Sequence, residues 1–498
     1  MSPNQLTITQ ALDKLRKNEF SSVELTQACL DRIEQTDTKL KAFITVTKDE
    51  ALKVAKNADE IYQKQPEKIN DYPLLGVPVS IKDLYSTKGI LTSAGSNILK
   101  NYIPPYDATV VKKLKNAGAV IIGKTNLDAF AHGSSTEASD FFTTLNPWNL
   151  EYLPGGSSGG SAASVISDQT IFSIGTETGG SIRQPAAWCG IVGLKPTYGR
   201  VSRYGVIAMA SSLDSPGPMC KTVEDTAIVL NVLAGHDPLD STSSSVPLVD
   251  YTAALNQNLK GLTIGYCEKY LNKPVQPAVA QAIRDALKTF SGLGANIKTI
   301  ELMDPKYAVA VYTVLQRAEV SSNLARYDGI RYGHSVLRNK KYQPEDIIDV
   351  YNETRAAGFG EEAKRRIMLG TYTLSAGYYD AYYLKAQKAR TKICRDFEKA
   401  FDKVNLIVGP TSPSTAQKVG ARNKNPMFGE MEDILVEPST IAGLPGINLP
   451  CGFGNNLPIG LQIIGPQFKE NKIIQAAYAY EQATDWHKKR PKIASVAG

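Results

Sequence analysis

Gly155-Gly156-Ser157-Ser158-Gly159-Gly160-Ser161, followed a little further on by Gly175-Thr176-Glu177-Thr178-Gly179-Gly180-Ser181, is the most informative part of this 498-residue chain. Glycines in such numbers let the backbone take positive φ and approach a ligand closely, and the N–H groups of such turns converge on an anion. A flexible linker would look similar, but periodic elements stand between the two runs. Ser161 to Ile166 reads as a short helix and Thr170 to Ile174 as a strand that returns. A helix of about nine residues rises roughly 13 Å and a strand of five about 17 Å, so out-and-back travel can bring Ser181 close to Ser157.

Working outward, strand and helix keep alternating. Leu75 to Ile81 reads as a buried strand ending at Lys82, and Ala119 to Ile122 as another, with Val110, Val111 and Leu114 on a helix between them. Leu262 to Tyr266 precedes a helix with Val279, Ile283, Leu287 and Phe290 inward, and Leu406 to Val408 precedes a turn at Gly409-Pro410. Near the start, Ser21-Ser22-Val23-Glu24 has the form of a capping box before Leu25, Cys29 and Ile33. The expectation is an α/β core, a sheet with helices on both faces. Asp237 to Lys260, rich in Ser, Asp and Pro, reads as a surface connection, and 305–403 as a mainly helical cap region within a single domain spanning 1–498.

One motif misleads. Gly118-Ala119-Val120-Ile121-Ile122-Gly123-Lys124-Thr125 satisfies the letters of a phosphate-binding P-loop, but its four intervening residues are the most strand-like run nearby, where a P-loop needs a loop.

The two runs supply serines, and a serine nucleophile needs a base. Only His132, His236, His334 and His487 exist. His132 lies in a small-residue loop that could face a site, but nothing else equips it as a base; the other three read as surface or helix-end residues. Lys82, emerging from an apolar strand, is the better candidate. A lysine at its ordinary pKa of about 10.4 is neutral in only about 1 part in 10³ at pH 7, and burial can lower that pKa by as much as about 3 to 5 units. Taken alone, Lys82 would read as a surface residue at a strand end.

Composition adds bounds. With 42% hydrophobic residues the chain can bury a large core, and its net charge of +7 is spread along the sequence rather than gathered into a basic block. The longest apolar runs, such as Ala119 to Gly123 and Ile459 to Gly465, are far too short to cross a bilayer, and the first residues carry no signal or transit pattern. Cys29, Cys189, Cys220, Cys267, Cys394 and Cys451 are dispersed with no C-x-x-C pair, which suits reduced, buried side chains in a cytoplasmic protein.

Lys82, the run Gly155 to Ser161, and Gly175-x-x-x-Gly179-Gly180-Ser181-Ile182-Arg183-Gln184-Pro185 together resemble the amidase signature family. The resemblance implies a mixed central sheet covered by helices on both faces. It also implies Ser181 as the acyl-forming nucleophile, Ser157 as a bridging proton relay and Lys82 as the base, with backbone N–H groups of Thr178, Gly179 and Gly180 offered to the oxyanion. This is a Ser-Lys variant of triad logic. Gly190 to Arg203, Ala210 to Asp214, Lys364-Arg365-Arg366-Ile367, Gly377 to Tyr383 and Ile441 to Gly446 are similar to the glutamine-hydrolysing components of bacterial tRNA-dependent amidotransferases. That narrower likeness covers nearly the whole chain. It implies a glutaminase releasing ammonia for conversion of Glu-tRNA(Gln) to Gln-tRNA(Gln), within a heterotrimer completed by the B and C subunits. Misacylated tRNA would be reached through the complex, ATP and Mg would sit at the partner subunit, and this chain would hold no cofactor or metal and meet no membrane.

On the same likeness, Arg366 would pair with the α-carboxylate of glutamine, Asp433 with its α-ammonium, and Tyr312 would line the pocket. Read without the family, Lys364-Arg365-Arg366 is a solvated helix face and Asp433 an exposed loop acid. Two other readings stand beside this one: a free-standing amidase acting on other small amides, and a catalytically silent structural component, against which the intact Lys82, Ser157 and Ser181 argue.

Overall fold

The strand that ends at Lys82 sits in the interior of one large sheet. The computed structural model describes residues 2–339, 341–425 and 427–493; Met1 and 494–498, part of the expected domain, lie outside the described residues. The strands are β1 (Phe43–Val46), β2 (Pro78–Lys82), β3 (Val120–Thr125), β4 (Phe172–Glu177), β5 (Val192–Lys195), β6 (Ser215–Cys220), β7 (Thr263–Tyr266), β8 (Asn296–Thr299), β9 (Leu406–Pro410), β10 (Gly446–Gly454) and β11 (Leu457–Ile464). They form an 11-stranded sheet in the order β1-β3-β2-β4-β6-β5-β10-β11-β9-β7-β8. β2 runs parallel to β3 and β4, and β7 to β8 and β9, while the remaining pairings are antiparallel.

Every residue of β2, β3 and β4 is buried. Successive side chains of a strand point to opposite faces, so both faces of the sheet are covered here, the condition under which parallel strands read as unbroken apolar runs. The architecture is the expected α/β sheet with helices. The helix Ser22–Leu40 starts at the expected capping box: the Glu24 N–H donates to Ser21 Oγ at 3.1 Å and the Ser21 N–H to Glu24 Oε2 at 2.7 Å.

Several boundaries differ from the expectation. Leu75, Gly76 and Val77 precede β2 as a turn, because Gly76 adopts φ +75°. Gly409-Pro410, expected as a turn, continues β9 and pairs with β11. β3 runs on through Gly123, Lys124 and Thr125, which disposes of the P-loop likeness: Lys124 Nζ lies 3.0 Å from Asp83 Oδ1 and donates to the Tyr85 carbonyl and Thr92 Oγ1, each at 2.9 Å.

The two glycine runs meet as expected. The intervening helix spans Gly159–Ile166, β4 reaches Glu177, and the Ser158 N–H donates to the Ser181 carbonyl at 3.2 Å. The segment 305–403 contributes the helices Lys306–Leu324, Ile347–Gly358, Glu361–Leu374 and Lys385–Phe401. Asp237 to Lys260 is irregular and largely exposed, apart from buried anchors such as Tyr251.

Breaking a buried ion pair by removing one partner costs about 3–5 kcal/mol, because a charge is left uncompensated. Asp83→Ala, which strands Lys124, is expected to lower the unfolding free energy by about that amount, read from denaturant melts.

Candidate active site

Lys82 closes β2 with its side chain wholly buried. Its Nζ lies 2.7 Å from Ser157 Oγ, 2.9 Å from Ser158 Oγ, 2.9 Å from Thr176 Oγ1 and 3.3 Å from the Thr176 carbonyl. The Ser158 hydroxyl is directed at the Thr176 carbonyl, 3.1 Å away, whereas Ser157 Oγ has no partner but Lys82 among the described residues. Ser157 can therefore both donate to and accept from the amine, which a relay needs. Burial pushes the Lys82 ammonium down to about 7, partly offset by the charges of Asp128, Asp214 and Glu177. Such an amine can take and return a proton near neutral pH.

Glycine makes the approach possible. A Cβ on Gly156 would overlap Asp128 Oδ2 and crowd the Ser135 N–H. Asp128 in turn accepts the N–H groups of Ser135, Thr136 and Ala138 at 3.2, 2.9 and 2.9 Å, so the loop carrying His132 to Ala138 is tied beside Ser157.

Ser181 follows the segment Thr178-Gly179-Gly180, whose backbone N–H groups have no acceptor among the described residues and can serve an oxyanion. Two contacts hold that segment, Thr178 Oγ1 donating to Asp214 Oδ1 at 2.6 Å and Thr440 Oγ1 to the Gly179 carbonyl at 2.7 Å, and Glu177 before it accepts the N–H groups of Ile182 and Arg183 after it at 3.1 and 3.0 Å. Glu177 also pairs with the Arg183 guanidinium, 2.6 Å away, and Arg183 reaches Ser439, Gln462, Val436 and Thr440. Ser181 and Ser157 share no hydroxyl hydrogen bond among the described residues; their runs meet through the Ser158 N–H on the Ser181 carbonyl and the Ser158 hydroxyl on the Thr176 backbone.

Two of the substrate-side candidates converge on the same segment. Tyr312, on Lys306–Leu324, lies against Gly179, and Asp433 Oδ1 occupies the space a Cβ on Gly180 would need. Ser134 Oγ donates to Asp433 Oδ2 at 2.6 Å. Arg366 lines a cavity of about 220 Å³ with His132, Ser134, Arg422 and Glu430. The family-free expectation of a solvated face and an exposed acid is corrected here: Arg366 is 5% and Asp433 4% exposed. Lys306–Leu324 packs along Glu361–Leu374 and turns Arg366 inward, a contact no local pattern reveals. Glu362 accepts from Arg366 Nε at 2.6 Å and also pairs with Arg365 and Arg422, so the Arg366 head is oriented by a shared carboxylate.

His132 is wholly buried, and neither ring nitrogen has a partner among the described residues; burial and the Arg366 charge hold it well below its ordinary range. Glu177, Asp128, Asp214, Ser134 and Glu362 escaped sequence reading as site residues. Of these, Glu177 lies inside a glycine run and Asp214 ends the segment Ala210 to Asp214, but neither pattern by itself announces a role. Among the described residues no group of three or more His, Cys, Asp or Glu side chains could hold a metal, no helix is long and apolar enough to cross a membrane, and the six cysteines are unpaired.

A buried amine bonded to one serine hydroxyl, a second serine close by and N–H donors left free are the parts a serine hydrolase without histidine would need. The chain belongs to the amidase signature family: the family model described as Amidase matches residues 24–474. It is 53% identical over 488 residues to the A subunit of glutamyl-tRNA(Gln) amidotransferase from Carboxydothermus hydrogenoformans, covering 98% of this chain and 99% of that one. Among solved structures, the A subunit of the same enzyme from Thermotoga maritima superposes with a TM-score of 0.81 at 39% identity, covering 100% of this chain and 99% of that one. A bacterial aryl acylamidase superposes with a TM-score of 0.84 at 27% identity, covering 97% of each chain.

Since the Lys82 amine is neutral above its lowered pKa, kcat/KM for amide cleavage is expected to rise with pH, half-maximal near 7, and to level off above that. Lys82→Arg, cationic at any working pH, is expected to remove the activity throughout this range.

Proposed function

We propose that the chain is the glutaminase component of a tRNA-dependent amidotransferase, supplying ammonia for conversion of Glu-tRNA(Gln) to Gln-tRNA(Gln). The observation that carries the choice of amide is a buried anion, Asp433, against Gly180 of the Ser181 loop, and a buried cation, Arg366, in a cavity that is also lined by Ser134, the hydroxyl donor to Asp433. Glutamine presents a carboxylate and an ammonium; a simple amide presents neither. Identity of about half over nearly the full length to the A subunits of such enzymes supports the same reading.

In this mechanism Ser181 Oγ attacks the side-chain amide carbon while Ser157 takes its proton and passes its own to neutral Lys82. The carbonyl oxygen, now anionic, receives the N–H groups of Thr178, Gly179 and Gly180. Collapse breaks the C–N bond, the ammonium of Lys82 returns a proton through Ser157 to the leaving nitrogen, and ammonia departs. Water, deprotonated by the same relay, then attacks the acyl-serine, and as the C–O bond breaks the proton held by Lys82 returns through Ser157 to Ser181 Oγ, releasing glutamate. Arg366 receives the α-carboxylate, to which its planar head is suited, Asp433 the α-ammonium, and Tyr312 lines the pocket.

Ammonia is then used in the cytoplasm by the partner B and C subunits, where ATP, Mg and the misacylated tRNA bind. The chain acts as one domain with 305–403 as a cap, which brings Tyr312 and Arg366 to the site. A second reading, a free-standing amidase on other small amides, is favoured by the likeness to the aryl acylamidase and requires neither Arg366 nor Asp433.

Ser181→Ala is expected to lower ammonia release from glutamine by about 10⁴-fold or more while the reconstituted complex still uses added ammonium. Retained glutaminase activity would remove Ser181 from its role. Arg366→Ala is expected to raise the KM for glutamine by about 10- to 100-fold, the worth of a charge-assisted hydrogen-bond pair; an unchanged KM counts for the free amidase.

A further inference from the structure

Two carboxylates beside the Ser181 loop lack a bonded cation. Glu437 opens the short helix Glu437–Ile441, is wholly buried, and has no hydrogen-bond partner for either carboxylate oxygen among the described residues. Asp433 lies one helical turn before it, the Glu437 N–H donating to the Asp433 carbonyl at 3.0 Å, so the two side chains occupy neighbouring positions. One Asp433 oxygen takes the Ser134 hydroxyl; the other has no partner and rests against Gly180.

Burial raises both carboxyls well above the usual range, and the Asp433 charge adds to the effect at Glu437. Arg366 and Arg317 lie near enough to oppose this in part, but their hydrogen bonds go to Glu362 and Glu430. The helix Lys306–Leu324, packed against Glu437–Ile441, adds Gln316, buried with both amide atoms unpartnered. Buried polar atoms are seldom left unpaired in such numbers, and a buried carboxylate without a partner is costly. The atoms left over are mostly acceptors, which suit a ligand group that brings only donors and a positive charge. A primary ammonium is such a group.

We infer that Glu437 is a second carboxylate of the subsite for the substrate's α-ammonium, beside Asp433, and that it strengthens the preference for amides carrying that cation. The inference rests on the glutaminase reading. It gives the two unpartnered Glu437 oxygens a partner, the substrate's own ammonium.

The test is calorimetric binding to the reconstituted complex carrying Ser181→Ala, with L-glutamine and with glutaramate, the same amide without the α-ammonium. Adding Glu437→Gln is expected to raise the Kd for glutamine by about tenfold or more, the loss of one charge-assisted contact, and to change the Kd for glutaramate by less than about twofold. Glu437→Asp is expected to keep part of the preference. Equal weakening of both ligands, or unchanged glutamine binding, overturns the role of Glu437 and leaves the glutaminase reading standing. A ligand-free Tm below that of the parent would mark Glu437 as a structural contact and also overturn it. If the Ser181→Ala parent binds neither amide, the glutaminase reading falls and the inference with it.

Discussion

Burying one lysine is the constraint from which the rest of the site follows. An ammonium in the interior loses its hydration, and Lys82 recovers part of that loss from the hydroxyls of Ser157, Ser158 and Thr176. These partners are only partly sufficient, and that insufficiency brings the amine into the range where it can exchange a proton at neutral pH. Fuller compensation by a bonded carboxylate, as Asp83 provides for Lys124 on the neighbouring strand β3, goes with a structural role. Lys82 and Lys124 thus differ through their neighbours, while a third buried strand lysine among the described residues, Lys195 of β5, donates only to the Pro196 carbonyl and is likewise pushed down to about 7 by burial.

The Ser181 loop has a different kind of support, one that leaves the N–H groups before Ser181 free of acceptors among the described residues. Glu177 satisfies the N–H groups just after Ser181 and leaves those just before it unused, and Arg183 carries the resulting charge into Ser439, Gln462 and Thr440. Residues far apart in the chain therefore meet behind one loop. Glycine at 156 and 180 lets Asp128 and Asp433 press against the backbone where any side chain would exclude them.

Legibility in the sequence followed the range of the interaction. The capping box at Ser21, the inward face of Val279 to Phe290 and the apolar run to Lys82 are local, so periodicity exposed them. The boundaries of β3 and β9 were misjudged because a buried ion pair carries Lys124 into the strand and sheet pairing carries Pro410. Arg366 and Asp433 looked like solvated charges, since nothing adjacent in sequence covers them; their burial comes from Lys306–Leu324 and from the loop at Ser134.

By itself the sequence carried the candidate chemistry: two glycine-serine runs separated by a helix and a returning strand, and a lysine at the end of an apolar run, resemble the amidase signature family, and that resemblance implies a relay, a nucleophile and a base. Their local conformations depend on nearby residues, so the pattern is readable. Only the tertiary structure decided what surrounds the candidate recognition residues. Glu362 on Arg366, Ser134 on Asp433, and Glu437 and Gln316 without partners among the described residues are arrangements that chain neighbours alone do not fix, and the energy of a buried charge is set by what surrounds it in space rather than along the chain.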